Sequence, residues 1–260
     1  MEQNPYLINY IYPFAYYSHS RLKHMIEIGE DHMNNEEVQR LGKELIDVLH
    51  LKTSPVAVRL VRADEELPAD VPRISEKTRH CQMVDNVRRN GSQFYTIIDD
   101  HMCKGGAAVM GLTEMGEKLK RGEVYYHLNH FDSMDAARST MEKVPYVPGH
   151  SVKAVLYSPL ENATFDPDVI LIITNPKMVM ELSQALLHKN GGRINASFAG
   201  KQSVCADGVA YPYISGEAGV TVGCSGSRKY TEIKEEEMII SVPVDMLPGL
   251  VASARTMFSN

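Results

Sequence analysis

The sequence predicts one α/β to α+β domain in which helices flank a mixed β-sheet. Short apolar runs, such as Val169-Ile170-Leu171-Ile172-Ile173, have the length and composition of buried strands. They alternate with segments of helical spacing, such as Glu36 to Leu49. The length of 260 residues and the apolar content of 43% are sufficient for a packed core.

The chain begins with an aromatic segment, residues 1–35, which we expect to form an arm beside the main domain, residues 36–260. Tyrosine is favoured at protein interfaces, so the arm either packs on its own domain or covers a neighbouring subunit. If the arm covers a neighbouring subunit, we expect the protein to be a homo-oligomer. The aromatic side chains that crowd into the arm are Tyr6, Tyr10, Tyr12, Phe14, Tyr16 and Tyr17.

The elements of the main domain follow from hydrophobic periodicity and from turn residues. Ser75 is a potential N-cap, Asn90-Gly91 ends the helix that follows it, and Asn175-Pro176 opens another helix. Strands are expected at 56–61, 94–98, 152–157, 169–173, 194–198, 220–222 and 238–242. Helices are expected at 36–49, 76–89, 107–112, 114–121, 133–143, 176–188 and 244–257.

Two stretches share the order strand, helix, Asn-Gly, strand and cysteine. The first runs from residue 56 to Cys103 and the second from residue 169 to Cys205. The similarity indicates either a weak internal duplication or a chance match between two β-α-β segments. A duplication would place both cysteines at strand ends of one sheet, where α/β proteins collect functional residues.

Composition and charge exclude several classes of function. A net charge of −6 argues against a general nucleic-acid surface, and no apolar run approaches the roughly 20 residues of a membrane span. The N-terminus lacks the basic region and cleavage site of a signal peptide, so we expect a cytoplasmic protein with reduced thiols. Its four cysteines are then free core thiols, metal ligands or catalytic groups.

The cysteines are Cys81, Cys103, Cys205 and Cys224, with spacings of 22, 102 and 19 residues. No pair forms a Cys-x-x-Cys motif, so the sequence is neither a zinc ribbon nor a ferredoxin. The last three are expected in loops or turns, where nearby glycines bring backbone N–H groups close to the sulfur. Cys81 is expected inside the helix 76–89.

A basic residue lies close to each cysteine. These residues are Arg79, Lys104, Lys201 and Arg228. Cations of this kind either stabilise thiolates and bind anions or remain solvated surface charges. We expect Lys104 and Arg228 to anchor a small anionic substrate.

Five short motifs can be compared with known families. They are Leu51-Lys52-Thr53-Ser54-Pro55-Val56-Ala57-Val58, Arg79-His80-Cys81, Cys103-Lys104-Gly105-Gly106, Val204-Cys205-Ala206-Asp207 and Gly223-Cys224-Ser225-Gly226-Ser227-Arg228. Through them the chain resembles the domain-of-unknown-function-169 family, also labelled ArCR, over about residues 37–258. The family pattern carries all four cysteines. The resemblance implies shared cysteine chemistry in the cytoplasm of an anaerobe, without naming a substrate.

We predict that Cys81, Cys103, Cys205 and Cys224 bind one iron–sulfur cluster, most simply 4Fe–4S, in a redox or Lewis-acid enzyme. The partner is then a small-molecule substrate or a redox protein. If three thiols bind, Cys81 is the expected non-ligand because of its mid-helix position, which leaves one iron open. The alternatives are a zinc or metal-free binding module and a thiol enzyme. In that enzyme Cys103 is the nucleophile and Cys205 or Cys224 the resolving thiol.

Overall fold

Seven strands form one mixed sheet in the computed structural model, which describes residues 33–259. They are β1 Val56–Arg62, β2 Phe94–Thr96, β3 Val152–Pro159, β4 Val169–Thr174, β5 Asn195–Ser197, β6 Gly219–Thr221 and β7 Met238–Pro243. Their order across the sheet is β2-β3-β1-β4-β7-β6-β5. Neighbouring strands are antiparallel except β5 and β6, which are parallel. The predicted mixed α+β fold is therefore confirmed.

Helices pack on both faces of this sheet. They are α1 Asn35–Leu49, α2 His80–Asn90, α3 Lys104–Val109, α4 Glu117–Lys120, α5 Glu123–His127, α6 Met134–Met141, α7 Pro176–Leu187, a π-helix Ser203–Ala210, α8 Tyr211–Ser215, α9 Ser225–Tyr230 and α10 Leu247–Phe258. Single 3₁₀ turns lie at Ile98–Asp100, Leu160–Asn162 and Val244–Met246.

The side chains of strand β4 show that the sheet divides the core into two layers, one on each face. All five residues of its apolar run are buried, as predicted for a strand covered on both faces. Leu171 and its alternate neighbours point into the layer formed by α2, α3 and the π-helix. Ile170 and Ile172 point into the opposite layer, formed by α1, α7 and α10. The alternation follows from the two-residue period of a strand.

The internal duplication is not confirmed. Helix α2 packs on one face of the sheet, whereas α7, its counterpart in the second stretch, packs on the other. One strand, β3, separates β1 from β2, whereas β7 and β6 both separate β4 from β5. The two stretches thus share an element order but not an arrangement in space.

Several predicted boundaries are wrong for a tertiary reason. Helix α2 begins at His80 rather than Glu76, because backbone hydrogen bonds hold the preceding segment extended. The Thr78 N–H donates to the Asp100 carbonyl at 2.9 Å, and the Met102 N–H donates to the Thr78 carbonyl at 2.8 Å.

No helix within 33–259 combines the length and apolar character that crossing a membrane requires. The predicted aromatic arm, residues 1–35, lies outside the described residues except for its last three, which lead into α1. The oligomer prediction, which rests on the arm, stays a prediction.

Candidate metal centre

Each of the four cysteines lies at the N-terminal end of a different helix. Cys103 and Cys224 are the N-cap residues of α3 and α9. Cys81 is the second residue of α2, and Cys205 is the third residue of the π-helix. The mid-helix position predicted for Cys81 is therefore wrong, as is the loop position predicted for Cys205. Free N–H groups at helix N-termini favour a thiolate over a thiol.

These helix ends converge. The π-helix contacts α2 and α3, and α2 contacts α9. Gly106 lies between two of the sulfurs: a Cβ on this residue would stand 3.5 Å from the Cys103 Sγ and 3.5 Å from the Cys205 Sγ. The Cys103 and Cys205 sulfurs are therefore separated by at most twice 3.5 Å. The Gly106 N–H also donates to the Cys103 Sγ at 3.4 Å.

The four thiols lie close enough together to affect the pKa of Cys81 and of Cys205. We call the group formed by Cys81, Cys103, Cys205 and Cys224 the cysteine centre. Burial raises the pKa of Cys81 to about 12, and the neighbouring Cys224 and Cys103 add to the rise. Burial also raises the pKa of Cys205 well above its usual value, reinforced by the other three cysteines. Cys205 and Cys81 are therefore protonated at neutral pH until a metal displaces the proton.

Exposure differs across the centre. Cys205 is buried and donates its S–H to the Gln202 carbonyl at 3.3 Å. Cys81 and Cys224 are half-buried, and Cys103 is exposed. The centre therefore lies at the protein surface, with Cys103 as its outermost group.

The spacing of the thiols bears on the kind of metal. Among the described residues, no three His, Cys, Asp or Glu side chains lie close enough together to hold one metal ion. Thiolates on a single zinc ion stand about 2.3 Å from it, and so lie about 4 Å from each other. Cysteines on an iron–sulfur cluster bind different irons and stand further apart. A preformed site for a single metal ion is therefore not found among the described residues.

The loop that carries Cys224 is held from two sides. Gly223 has a φ of +85°, and a Cβ there would stand 2.7 Å from the Ser227 Oγ. That hydroxyl accepts from the Cys224 N–H and donates to the Cys224 carbonyl, both at 2.9 Å. Glycine is therefore needed at position 223 for both the turn and the close approach of Ser227.

Arg228 supports the same loop from the other side. Its guanidinium donates to the Val222 carbonyl at 2.9 Å, to the Glu237 carbonyl at 2.7 Å and to the Lys234 carbonyl. These bonds fix the backbone that precedes Cys224. The anchoring of an anionic substrate by Arg228 stays a prediction.

Lys104 and Arg79, beside the centre, lack acidic partners within 33–259. Lys104 is exposed, and its Nζ donates to the Ile98 carbonyl at 3.1 Å. The Arg79 guanidinium lies 3.8 Å from the centroid of the Tyr230 ring. By contrast, Arg88, further along α2, pairs with two carboxylates. These two cations therefore add positive charge beside the thiols.

Two buried histidines beside the cysteine centre, His80 and His101, were not predicted. The His80 Nδ1 lies 2.8 Å from the Tyr157 hydroxyl, and the His101 Nε2 lies 2.9 Å from the Thr96 hydroxyl. Burial lowers the pKa of His80 to about 3 and that of His101 to about 4, so both are neutral at pH 7. The sequence did contain a signal for them, because a histidine lies one residue before Cys81 and another lies two residues before Cys103.

Comparison with known proteins adds a family but no activity. The family model described as DUF169, Uncharacterised ArCR, matches residues 44–253, a range that includes all four cysteines. An uncharacterized protein of Methanocaldococcus jannaschii is 37% identical over 220 residues, which cover 84% of this chain and 94% of the relative. No solved structure matches the chain.

Proposed function

The chain belongs to the DUF169 (ArCR) family, and we propose that it binds a 4Fe–4S cluster through Cys81, Cys103, Cys205 and Cys224. One observation carries the proposal. Cysteines from four separate parts of the sequence converge as the N-terminal groups of four helices. Four thiolates are a complete ligand set for such a cluster.

The surroundings of the thiols suit a bound cluster. N–H groups at the helix ends stabilise the negative charge of thiolate ligands, and N–H donors to sulfur raise the reduction potential. The Gly106 N–H already donates to the Cys103 Sγ, and the absence of a side chain at Gly106 leaves space between two sulfurs. A bound cluster would supply electron transfer or a Lewis-acidic iron.

Access to the centre suggests how a substrate reaches it. Cys81 is no longer the preferred non-ligand, because it lies in the first turn of α2. The exposed Cys103 marks the ligand position that an incoming molecule reaches first. Lys104 and Arg79 favour an anion there. We therefore propose a redox or Lewis-acid enzyme for a small anionic substrate, working in the anoxic cytoplasm that an accessible cluster requires.

Two observations weigh against the alternatives. The raised pKa of Cys205 disfavours it as a resolving thiol, because the thiolate is the reactive form. Among the described residues no three potential ligands lie within reach of one ion, which argues against a preformed zinc module.

The test is metal and sulfide analysis of the full chain, purified without oxygen or reconstituted with iron and sulfide. We expect a brown protein with broad visible absorption and about four irons per chain. Replacing any one of the four cysteines by alanine should lower the iron content. Ser225→Ala, an exposed neighbour of Cys224, is the matched control and should retain it. A colourless reconstituted protein, or one zinc per chain, would refute the proposal.

A further inference from the structure

Gln202 is a buried side chain in an unusual conformation. It is 5% exposed and has a φ of +52°, a region that residues other than glycine rarely occupy. Its Nε2 and Oε1 make no hydrogen bond of normal geometry within the described part of the chain, although the Tyr125 hydroxyl lies beside the amide. Strained backbone and unsatisfied buried polar groups concentrate at functional sites.

This amide lies at the edge of the cysteine centre. The Gln202 carbonyl accepts from the Cys205 thiol, and Gln202 immediately precedes the π-helix. Its Nε2 would stand 3.0 Å from a Cβ on Gly105, so the glycine allows the amide to lie against the first turn of α3. The Tyr125 hydroxyl lies beside the Gln202 amide and near Cys205, at the same edge.

Lys201 adds a charge to this edge. Its Nζ lies 5.7 Å from the centroid of the Tyr125 ring and 5.5 Å from that of Phe131, and it has no acidic partner within 33–259. The edge therefore combines the Lys201 ammonium group and the Tyr125 hydroxyl with the buried Gln202 amide N–H as donors. Within the described residues, the Gln202 Oε1 accepts no hydrogen bond of normal geometry.

We infer that Gln202, Tyr125 and Lys201 form a binding site for a small hydroxycarboxylate. The carboxylate accepts from the donors of the edge, and the ligand hydroxyl donates to the Gln202 Oε1, which satisfies both ends of the amide. A simple carboxylate would leave the Oε1 without a partner. The inference rests on the proposed function, because it names the substrate class at the same centre.

The test compares glycolate with acetate, which differ mainly by the hydroxyl group. Each is titrated into the ¹⁵N-labelled full chain while the Gln202 side-chain NH₂ signal is followed by NMR. That signal is assigned as the one absent from Gln202→Met. We expect glycolate to bind about tenfold more tightly than acetate. The preference should vanish in Gln202→Met, and Tyr125→Phe should weaken both ligands.

The control is Gln184→Met, an exposed position on α7 across the sheet, which should keep the preference. Gln202→Met should also raise the thermal midpoint of the free protein, since methionine has a similar length and removes the unsatisfied amide. A preference that survives in Gln202→Met, or equal affinities in the wild type, would overturn the inference.

Iron-free and iron-loaded protein are both titrated, the loaded form by changes in its visible spectrum. A glycolate preference in protein that never takes up iron would reject the cluster and keep the binding site. Iron uptake with equal affinities for glycolate and acetate would reject the binding site and keep the cluster.

Discussion

Gly106 is the residue at which the space between the sulfurs can be tested. In Gly106→Ala the new methyl would stand 3.5 Å from the sulfurs of Cys103 and Cys205, an ordinary contact in the metal-free protein. Alanine favours a helix by up to about 1 kcal/mol over glycine, so the free energy of unfolding should hold or rise. The methyl would occupy the space between two of the proposed cluster ligands, so we expect the iron content after reconstitution to fall by more than half.

The matched control is Gly249→Ala in α10, where a Cβ would meet no atom within 4 Å. Gly249→Ala should raise the free energy of unfolding by a similar amount to Gly106→Ala and should retain full iron content. Urea unfolding and iron analysis of both variants provide the measurements. Four irons per chain in Gly106→Ala would contradict the assignment of this space to a cluster.

At the residue scale, the sequence identified the thiols but not their surroundings. Glycines and cations near Cys103 and Cys224 are local features that can be read from the chain. The inference about Gln202 depends on its left-handed backbone and on its amide having no hydrogen bond of normal geometry within 33–259, and tertiary packing determines both. No local pattern distinguishes it from an exposed glutamine.

At the element scale, a buried ion-pair network joins α2 to the segment that follows α9. The Arg88 Nε donates to the Asp85 carboxylate at 2.8 Å, and its terminal nitrogens donate to the Glu237 carboxylate at 3.1 and 3.2 Å. The second Asp85 oxygen accepts from the Glu232 N–H at 2.9 Å. The network thus links the helix of Cys81 to the chain beyond the helix of Cys224.

We expect Arg88→Met to lower the free energy of unfolding by about 3–5 kcal/mol, because two carboxylates lose a buried partner. The neighbouring Arg89 is 46% exposed and makes only longer contacts, at 3.8 and 3.9 Å. Arg89→Met should cost less than about 1 kcal/mol and serves as the control. Denaturant unfolding of both variants measures the difference, and equal losses would contradict a structural role for the buried network.

The sequence predicted the central strands more reliably than the helices that carry the cysteines. The buried run of β4 has one strong pattern that its surroundings reinforce. Helix α9 and the π-helix were missed because their residues are small, glycine-rich or lacking in periodicity. Their helical conformation depends on packing against α2 and the sheet, which a local pattern does not contain.

For the whole molecule, we predict a loss of stability in mild acid. Unfolded histidine binds a proton near pH 6.5, whereas folding lowers the pKa of His80 to about 3 and that of His101 to about 4. At these two histidines the unfolded state therefore binds more protons between these limits, whereas Asp207, whose pKa burial raises to about 6, offsets part of the difference. The stability is fully present above pH 6.5 and falls as the pH decreases, by up to about 1.4 kcal/mol per pH unit for each histidine.

Urea unfolding of iron-free protein at pH 7, 6 and 5 measures this slope. His101→Gln removes one of the two groups and should reduce the histidine contribution to the slope by about half. His127→Gln, at an exposed position, should leave it unchanged. The same free energy of unfolding at pH 7 and pH 5 in the wild type would show that the buried histidines do not control acid stability.

Cys81 and Cys224 are separated in the chain by five strands, β2 to β6. A ribosome must therefore synthesise most of the polypeptide before the last of the proposed sulfur ligands emerges. Cofactor insertion would then be a late step of biogenesis, and the delivery machinery would meet a nearly finished protein rather than a nascent chain.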